Sequence, residues 1–298
     1  MLGTAPIGGL YSPVPADAAH ATCDAAWQAG IRAFDTAPHY GVGLAEQRLG
    51  EFLAGKPRGE YVVSTKVGRL LVPSAGQVDG VEGFYGTPRL TRVWDFSRDG
   101  ALRSLEESLA RLGLDRIDVA LIHDPDEHAA QALDGAYPAL HQLRSEGVVG
   151  AIGIGMNQPE LPAWFIARAE LDCVLIAGRY SLLDTSAAAE LLPECERRGV
   201  GVLAGGVFNS GILADPQPGA RYDYRPAAPA LVERAQRIRA VCAGHGLPIG
   251  AAALAFTLRH PAITAAVIGA RTASEIVEDV GYLAYDVPDE VLAEVDAL

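Results

Sequence analysis

The sequence predicts a (β/α)8 barrel, formed as one domain over residues 1–298. Short β-branched runs recur along the chain, and each is followed by an amphipathic, alanine-rich segment. Several of these runs are continuously apolar, which is typical of strands that are buried on both faces of a parallel sheet. Seven runs and the apolar N-terminal segment make eight strands, so one strand and its helix take about 37 residues, a natural size for such a unit.

The predicted elements follow one another through the chain in this order. The first strand is the N-terminal segment MLGTAPIG. A helix is predicted over residues 101–113, where leucines recur on one face and a glycine ends the pattern. The remaining seven strands are predicted to begin at Ile31, Tyr61, Ile117, Val148, Asp172, Val200 and Thr264.

A doubly wound sheet would show the same alternation of strands and helices. No G-x-G-x-x-G motif follows the early strands, so the sequence favours the barrel. No change of composition marks a domain boundary. One long insertion, at about residues 68–97, is rich in glycine, proline and aromatic residues. We expect this loop to shape a substrate site over the mouth of the barrel.

Composition and charge narrow the classes of partner. The chain carries 24 Lys and Arg against 37 Asp and Glu, a net charge of −13 that repels nucleic acid and anionic membranes. No signal peptide and no apolar run long enough for a membrane helix is found. The four cysteines lack metal-binding spacing and are expected to be reduced and buried. We therefore expect a cytoplasmic protein that acts on a small molecule.

Polar side chains end three consecutive predicted strands: Asp35, Lys66 and His123. Catalytic residues of barrels lie at the carboxyl ends of strands, so these side chains should meet in one pocket, with Tyr40 in the loop after Asp35. A nearby ammonium stabilises a phenolate, so we expect Lys66 to lower the pKa of Tyr40 and Asp35 to balance the charge of Lys66. His123 would orient the substrate oxygen or share in proton transfer.

The segment HDPDEH, residues 123–128, also permits a metal interpretation, because imidazoles and carboxylates are metal ligands. Its acids and second histidine lie in a polar loop, and no distant pair of histidines completes a coordination shell. We therefore predict no metal site.

Three motifs carry a family resemblance: FDTAPHYGVGLAEQRLGEFL, STKVG and IDVALIHDPD. They closely resemble the aldo-keto reductase superfamily, and the resemblance extends over essentially the whole chain. It implies a (β/α)8 barrel that binds NAD or NADP in an extended conformation. It also implies a catalytic tetrad of Asp35, Tyr40, Lys66 and His123, with Tyr40 as the proton donor or acceptor.

The resemblance places the adenine end of the cofactor at VIGARTASEIVED, after the last strand. There, backbone donors at a helix start suit a phosphate. Arg271 would pair with a 2′-phosphate, whereas Glu275 would repel it and accept from a free ribose hydroxyl, so NAD is weakly favoured and NADP stays open. The expected cofactor contacts are Asn157, Phe208, Gly269, Ala270, Arg271, Glu275 and Asp279.

The chain departs from the family pattern around the nicotinamide. Met156 replaces the usual serine before Asn157, so only the asparagine remains to bind the carboxamide. Ala177 stands where glutamine is common. Gly205 replaces the tyrosine that stacks on the ring, which leaves Phe208 as the expected substitute.

Other segments, including GAYPALHQLRSEGVVGAIGIGMNQ and LIAGRYSLLD, look like the subgroup that holds D-threo-aldose 1-dehydrogenases and pyridoxal 4-dehydrogenase. That subgroup implies oxidation of a cyclic hemiacetal hydroxyl, as in L-fucose or D-arabinose, to a lactone. Pyridoxal oxidation, general aldehyde or ketone reduction, and a regulatory barrel that senses nicotinamide nucleotide are alternatives. The expected substrate contacts are His39, Phe84, Tyr85 and Trp94.

Overall fold

A computed structural model describes residues 1–298 and shows a closed barrel of eight parallel strands. Each strand pairs with the next along the chain, and the last pairs with the first through Leu2 and Ile268. The predicted fold class is therefore confirmed, and the predicted starts lie within two residues of the observed ones. The strands are β1 Leu2–Gly3, β2 Ala33–Asp35, β3 Val62–Val67, β4 Ile117–His123, β5 Val149–Met156, β6 Cys173–Ala177, β7 Gly201–Gly205 and β8 Ile263–Gly269.

Helices surround the barrel. The helix that was predicted over residues 101–113 begins three residues earlier, because Ser97 caps it by accepting a hydrogen bond from the backbone of Gly100 at 3.1 Å. It ends at Gly113, whose left-handed φ of 64° favours glycine. The helices are α1 Ala16–Gln28, α2 Leu44–Leu53, α3 Arg98–Leu112, α4 Tyr137–Ser145, α5 Glu160–Ile166, α6 Leu191–Arg198, α7 Pro229–Gly244, α8 Ile249–Leu258, α9 Ala273–Tyr282 and α10 Asp289–Asp296.

The main core lies between the sheet and the helices, where apolar residues from both layers are fully buried. A separate apolar cluster of Leu121, Cys173, Leu175, Leu203 and Val267 comes from the barrel strands alone and fills part of the barrel interior. Because these side chains are apolar, the polar residues at the strand ends are the part of the barrel that can take part in chemistry.

Two long loops rise from the carboxyl ends of the strands. Residues 68–97 contain an antiparallel hairpin of Arg69–Pro73 and Leu90–Trp94. A second loop, residues 206–228, contains a two-residue hairpin, Arg221–Tyr222 with Arg225–Pro226. The sequence analysis missed this second loop, because its turn is made by left-handed Asp and Tyr instead of the glycine that usually signals such a turn.

No single helix has both the length and the apolar composition to cross a membrane. The helices α7 and α8 meet such a criterion only when taken together, and the chain bends by 96° between them.

Candidate active site

A cleft of about 410 Å³ opens at the carboxyl ends of the barrel strands. Side chains from the ends of β3 and β4 line it, together with the loop after β2, and the two long loops contribute Glu82 and Tyr224. The sequence-predicted residues Tyr40, Lys66 and His123 all line this cleft. The position fits the general rule that barrel enzymes place their sites at this end.

Lys66 lies at the centre of the polar cluster and is 1% exposed. Its Nζ donates hydrogen bonds to Asp35 Oδ2 at 2.7 Å, to the Thr36 carbonyl at 2.9 Å and to Tyr40 Oη at 2.9 Å. All three donors of the ammonium are therefore satisfied, and Asp35 supplies the opposite charge that a buried cation requires. The strand order explains the contact, because Asp35 ends β2 and the adjacent β3 carries Lys66.

His123 ends β4, and its ring lies edge-on to Tyr40 with the ring centroids 6.0 Å apart. Burial lowers the pKa of His123 well below its usual value, and the nearby charges of Arg69 and Lys66 lower it further. The imidazole is therefore neutral at physiological pH, with one ring nitrogen able to donate and the other able to accept. Its Nδ1 is buried without a protein partner.

The expected lowering of the pKa of Tyr40 is wrong. Burial raises the pKa of Tyr40 well above its usual value, the charges of Asp35 and Asp124 add to the increase, and Arg69 opposes it. The main physical reason is burial, which removes the hydration that a phenolate would need. Tyr40 is consequently a neutral phenol.

Of the four expected substrate contacts, two line the cleft. His39 and Phe84 do so, with their ring centroids 5.3 Å apart, and burial lowers the pKa of His39 well below its usual value. Tyr85 and Trp94 are not among the lining residues. The Tyr85 ring packs near Gly80, and Trp94 is 44% exposed with the guanidinium of Arg69 5.7 Å from its ring.

Small residues line part of the cleft and leave space beside its polar side chains. Gly155 and Ala177 line it beside Asn157, the residue expected to bind the carboxamide. A Cβ atom on Gly155 would come within 3.5 Å of Lys66 Cε and would narrow the floor next to Tyr40. The residues present therefore fit a nicotinamide at this position.

Phe208 does not line the cleft, so its expected stacking on the nicotinamide ring is not supported. Its ring packs edge-on against Tyr282, with the centroids 6.3 Å apart, which directs it to the helical layer. The aromatic residue that does reach the cleft from the second long loop is Tyr224.

The segment after β8 forms the capped N-terminus of α9. Thr272 caps α9 by accepting a hydrogen bond from the backbone of Glu275 at 3.2 Å, and Glu275 Oε2 accepts from the backbone of Arg271 at 2.7 Å. The Arg271 guanidinium is held by Ser12, whose Oγ accepts from Nη2 at 2.6 Å. Arg271 is therefore already engaged, and a carboxylate occupies the helix start.

The other expected cofactor contacts at this end differ in exposure. Gly269 is exposed, whereas Ala270 is fully buried. Burial raises the pKa of Asp279 to about 7, and the neighbouring charges of Glu275 and Glu278 contribute to the increase. The carboxylates here make this end of the site unfavourable for an additional negative charge.

Sequence reasoning missed several residues that line the cleft, including Arg69, Glu82, Asp124 and Tyr224. Asp124 directly follows His123, and Arg69 lies three residues after Lys66. Both could have been predicted from their closeness in sequence to the motif residues. No comparable signal pointed to Tyr224. Four of the eight non-glycine residues with a left-handed backbone line this cleft, and such conformations concentrate at functional sites; they are Tyr11, Glu82, Asp124 and Tyr224.

Comparison with known proteins agrees with this site. A model of the aldo/keto reductase family matches residues 1–298. The chain is 44% identical to a D-threo-aldose 1-dehydrogenase from a Pseudomonas species, over 98% of this chain and 91% of that protein. It is 39% identical to pyridoxal 4-dehydrogenase from Microbacterium luteolum, over 97% and 90%. A solved glycerol dehydrogenase from Gluconobacter oxydans superposes with a TM-score of 0.81 at 25% identity, over 99% and 89%. The resemblance inferred from the motifs is confirmed.

Proposed function

Because this chain belongs to the aldo/keto reductase family and is an NAD(P)-dependent oxidoreductase, we propose that it oxidises the C1 hemiacetal hydroxyl of an aldose to a lactone. The substrate class is an aldose of the L-fucose or D-arabinose type. The 44% identity to a D-threo-aldose 1-dehydrogenase supports this choice. The observation that carries the proposal is the position of Lys66 Nζ, 2.7 Å from Asp35 Oδ2 and 2.9 Å from Tyr40 Oη.

In the proposed reaction, Tyr40 acts as the catalytic base. The ionised Oη takes the hydroxyl proton while the C1–H bond breaks and C1 becomes a carbonyl carbon. When bound, NAD⁺ or NADP⁺ would accept the hydride that leaves C1, and its positive charge would favour the phenolate over the neutral phenol. Lys66 donates to the same Oη and stabilises its negative charge, and Asp35 keeps Lys66 in place. Neutral His123 donates an N–H to the substrate oxygen and orients it.

We propose NAD as the preferred cofactor. Arg271 already donates to Ser12, and the carboxylate of Glu275 lies at the start of α9, where a 2′-phosphate would be repelled. A free ribose diol would instead find carboxylate acceptors. Asn157 lines the cleft and is the proposed partner of the nicotinamide carboxamide.

A second candidate is the reduction of an aldehyde or ketone. The raised pKa of Tyr40 favours it, because a neutral phenol is the form that donates a proton to a developing alkoxide. Pyridoxal oxidation to its lactone is chemically the same hemiacetal step, and the 39% identity to pyridoxal 4-dehydrogenase supports that alternative substrate.

We also propose a reducing compartment such as the cytoplasm. All four cysteines are unpaired and buried, the state that such a compartment maintains.

The test is to mix the protein with NAD or NADP and a panel of L-fucose, D-arabinose, pyridoxal and simple aldehydes, and to follow the absorbance of reduced nicotinamide. We expect aldose-dependent reduction of NAD. Consumption of NADPH with aldehydes, and no reaction with any sugar, would overturn the dehydrogenase assignment.

The role of Tyr40 has its own test. We expect Tyr40→Phe to abolish turnover, because the ring is kept and the proton-transferring oxygen is lost, while nucleotide fluorescence still reports binding. Retained turnover would remove Tyr40 from the mechanism.

A further inference from the structure

A buried ion pair lies in the cleft beside the proposed catalytic residues. Arg69 Nη2 donates to Asp124 Oδ2 at 2.6 Å, and both residues line the cleft. Arg69 begins the hairpin after β3, and Asp124 directly follows His123. The pair therefore joins the first long loop to the edge of the barrel at the place where a substrate would enter.

The pair is costly for the fold. Arg69 is 7% exposed, and the Asp124 side chain is 16% exposed, so both charges lose most of their hydration. The backbone of Asp124 has a φ of 42°, in the left-handed region that favours glycine. A left-handed, poorly hydrated carboxylate is a feature that structural stability alone does not require.

The pair also has hydrogen-bond donors and an acceptor that are not used within the protein. Arg69 lines the cleft, and the bond from Nη2 to Asp124 uses only one of the five N–H donors of its guanidinium. The bond from Arg69 uses Oδ2 of Asp124, which leaves Oδ1 able to accept from another donor. A hydroxyl group, which both donates and accepts, matches this combination of a cation and a carboxylate.

The distance between the Arg69–Asp124 pair and the proposed catalytic residues indicates which part of a substrate the pair would contact. Asp124 Oδ2 lies 3.5 Å from His123 Nε2, and His123 is next to Tyr40. With a reacting oxygen held by His123 and Tyr40, the neighbouring ring hydroxyls of a sugar would lie within reach of Asp124 and Arg69.

We propose that Arg69 and Asp124 form a hydroxyl-binding fork that selects polyhydroxylated cyclic hemiacetals over unsubstituted ones. Asp124 accepts a hydrogen bond from a ring hydroxyl, and Arg69 donates to a hydroxyl oxygen. This inference rests on the proposed function and specifies which part of the substrate is recognised. Arg69 and Asp124 are binding residues in this proposal, and neither transfers a proton.

The test compares two substrates that share the reacting group. L-Fucose carries ring hydroxyls, and 2-hydroxytetrahydropyran carries only the hemiacetal hydroxyl. With NAD as cofactor, we expect Asp124→Asn to reduce kcat/KM for L-fucose by about 10- to 100-fold more than for 2-hydroxytetrahydropyran, because only the sugar loses a hydrogen bond to a charged group. Glu127→Gln removes the same charge from an exposed position of the same loop and should leave the ratio of the two substrates unchanged.

A purely structural role gives a different result. If the pair only fastens the hairpin, Asp124→Asn lowers kcat/KM for both substrates by the same factor, and the fork is overturned. Arg69→Lys keeps the charge and provides a second variant if Asp124→Asn does not fold; it should also reduce L-fucose oxidation selectively. A wild-type protein that oxidises neither compound would refute the proposed function, and the fork with it.

Discussion

The buried contact between Asp35 and Lys66 gives a prediction about stability. Asp35→Asn keeps the shape of the side chain and removes its charge, which leaves the ammonium of Lys66 at 1% exposure with no carboxylate in contact. Removing one partner of a buried ion pair typically costs about 3–5 kcal/mol of the free energy of unfolding. At about 2 °C per kcal/mol for a chain of this size, the melting temperature should fall by about 6–10 °C.

A matched control is available on the surface. Asp289 accepts from Arg259 Nη1 at 2.6 Å, nearly the same distance as in the buried pair, but the Asp289 side chain is 92% exposed. Asp289→Asn should cost less than about 1 kcal/mol, because water screens the pair. Calorimetry of both variants isolates the effect of burial at a fixed contact distance.

The double variant completes the test. Adding Lys66→Met to Asp35→Asn should recover part of the lost stability, because no charge then remains buried. If Asp35→Asn and Asp289→Asn melt within about 1 °C of each other, Lys66 is not a buried cation held by Asp35. The electrostatic account of the site would then be wrong.

Two further predictions concern binding. Glu275→Gln should tighten NADP binding by about 3- to 10-fold and should not tighten NAD binding, because the carboxylate repels only the 2′-phosphate and is the proposed acceptor for a free ribose hydroxyl. Fluorescence titration measures both affinities, with the exposed Glu290→Gln as control, and an equal gain for both nucleotides would contradict the role of Glu275. Burial raises the pKa of Asp124 to about 6, Arg69 opposes the increase, and Asp124 must be ionised to accept from a sugar. The KM for an aldose should therefore rise about tenfold as the pH falls from 7 to 5. A flat KM across that range would count against this acceptor.

The fold could be predicted from the sequence because local pattern and global topology agree. Most strands of the barrel are short apolar runs, and the carboxyl-terminal halves of β4 and β5 are fully buried, as is typical of a parallel sheet that is covered on both faces. The grouping of Asp35, Lys66 and Tyr40 was also predictable, because strand order alone brings the ends of β2 and β3 together.

Other parts of the site depended on information that the sequence does not contain. The pKa of Tyr40 was expected in the wrong direction, because the result depends on the burial of the phenol and on the nearby carboxylates of Asp35 and Asp124. Phe208 was placed on the nicotinamide by its position after β7, but packing against Tyr282 decides where its ring lies. Long loops bring Tyr224 into the cleft from far along the chain, and no local pattern records such a contact.

The left-handed residues around the cleft have a consequence for the engineering and evolution of this chain. A non-glycine residue in such a conformation stores about 1–3 kcal/mol of strain, and Tyr11, Glu82, Asp124 and Tyr224 concentrate this strain around the cleft. Selection for heat resistance alone would favour glycine at these positions and would remove four side chains that line the cleft. Thermal stability and the side-chain lining of the cleft therefore favour different residues at these left-handed positions.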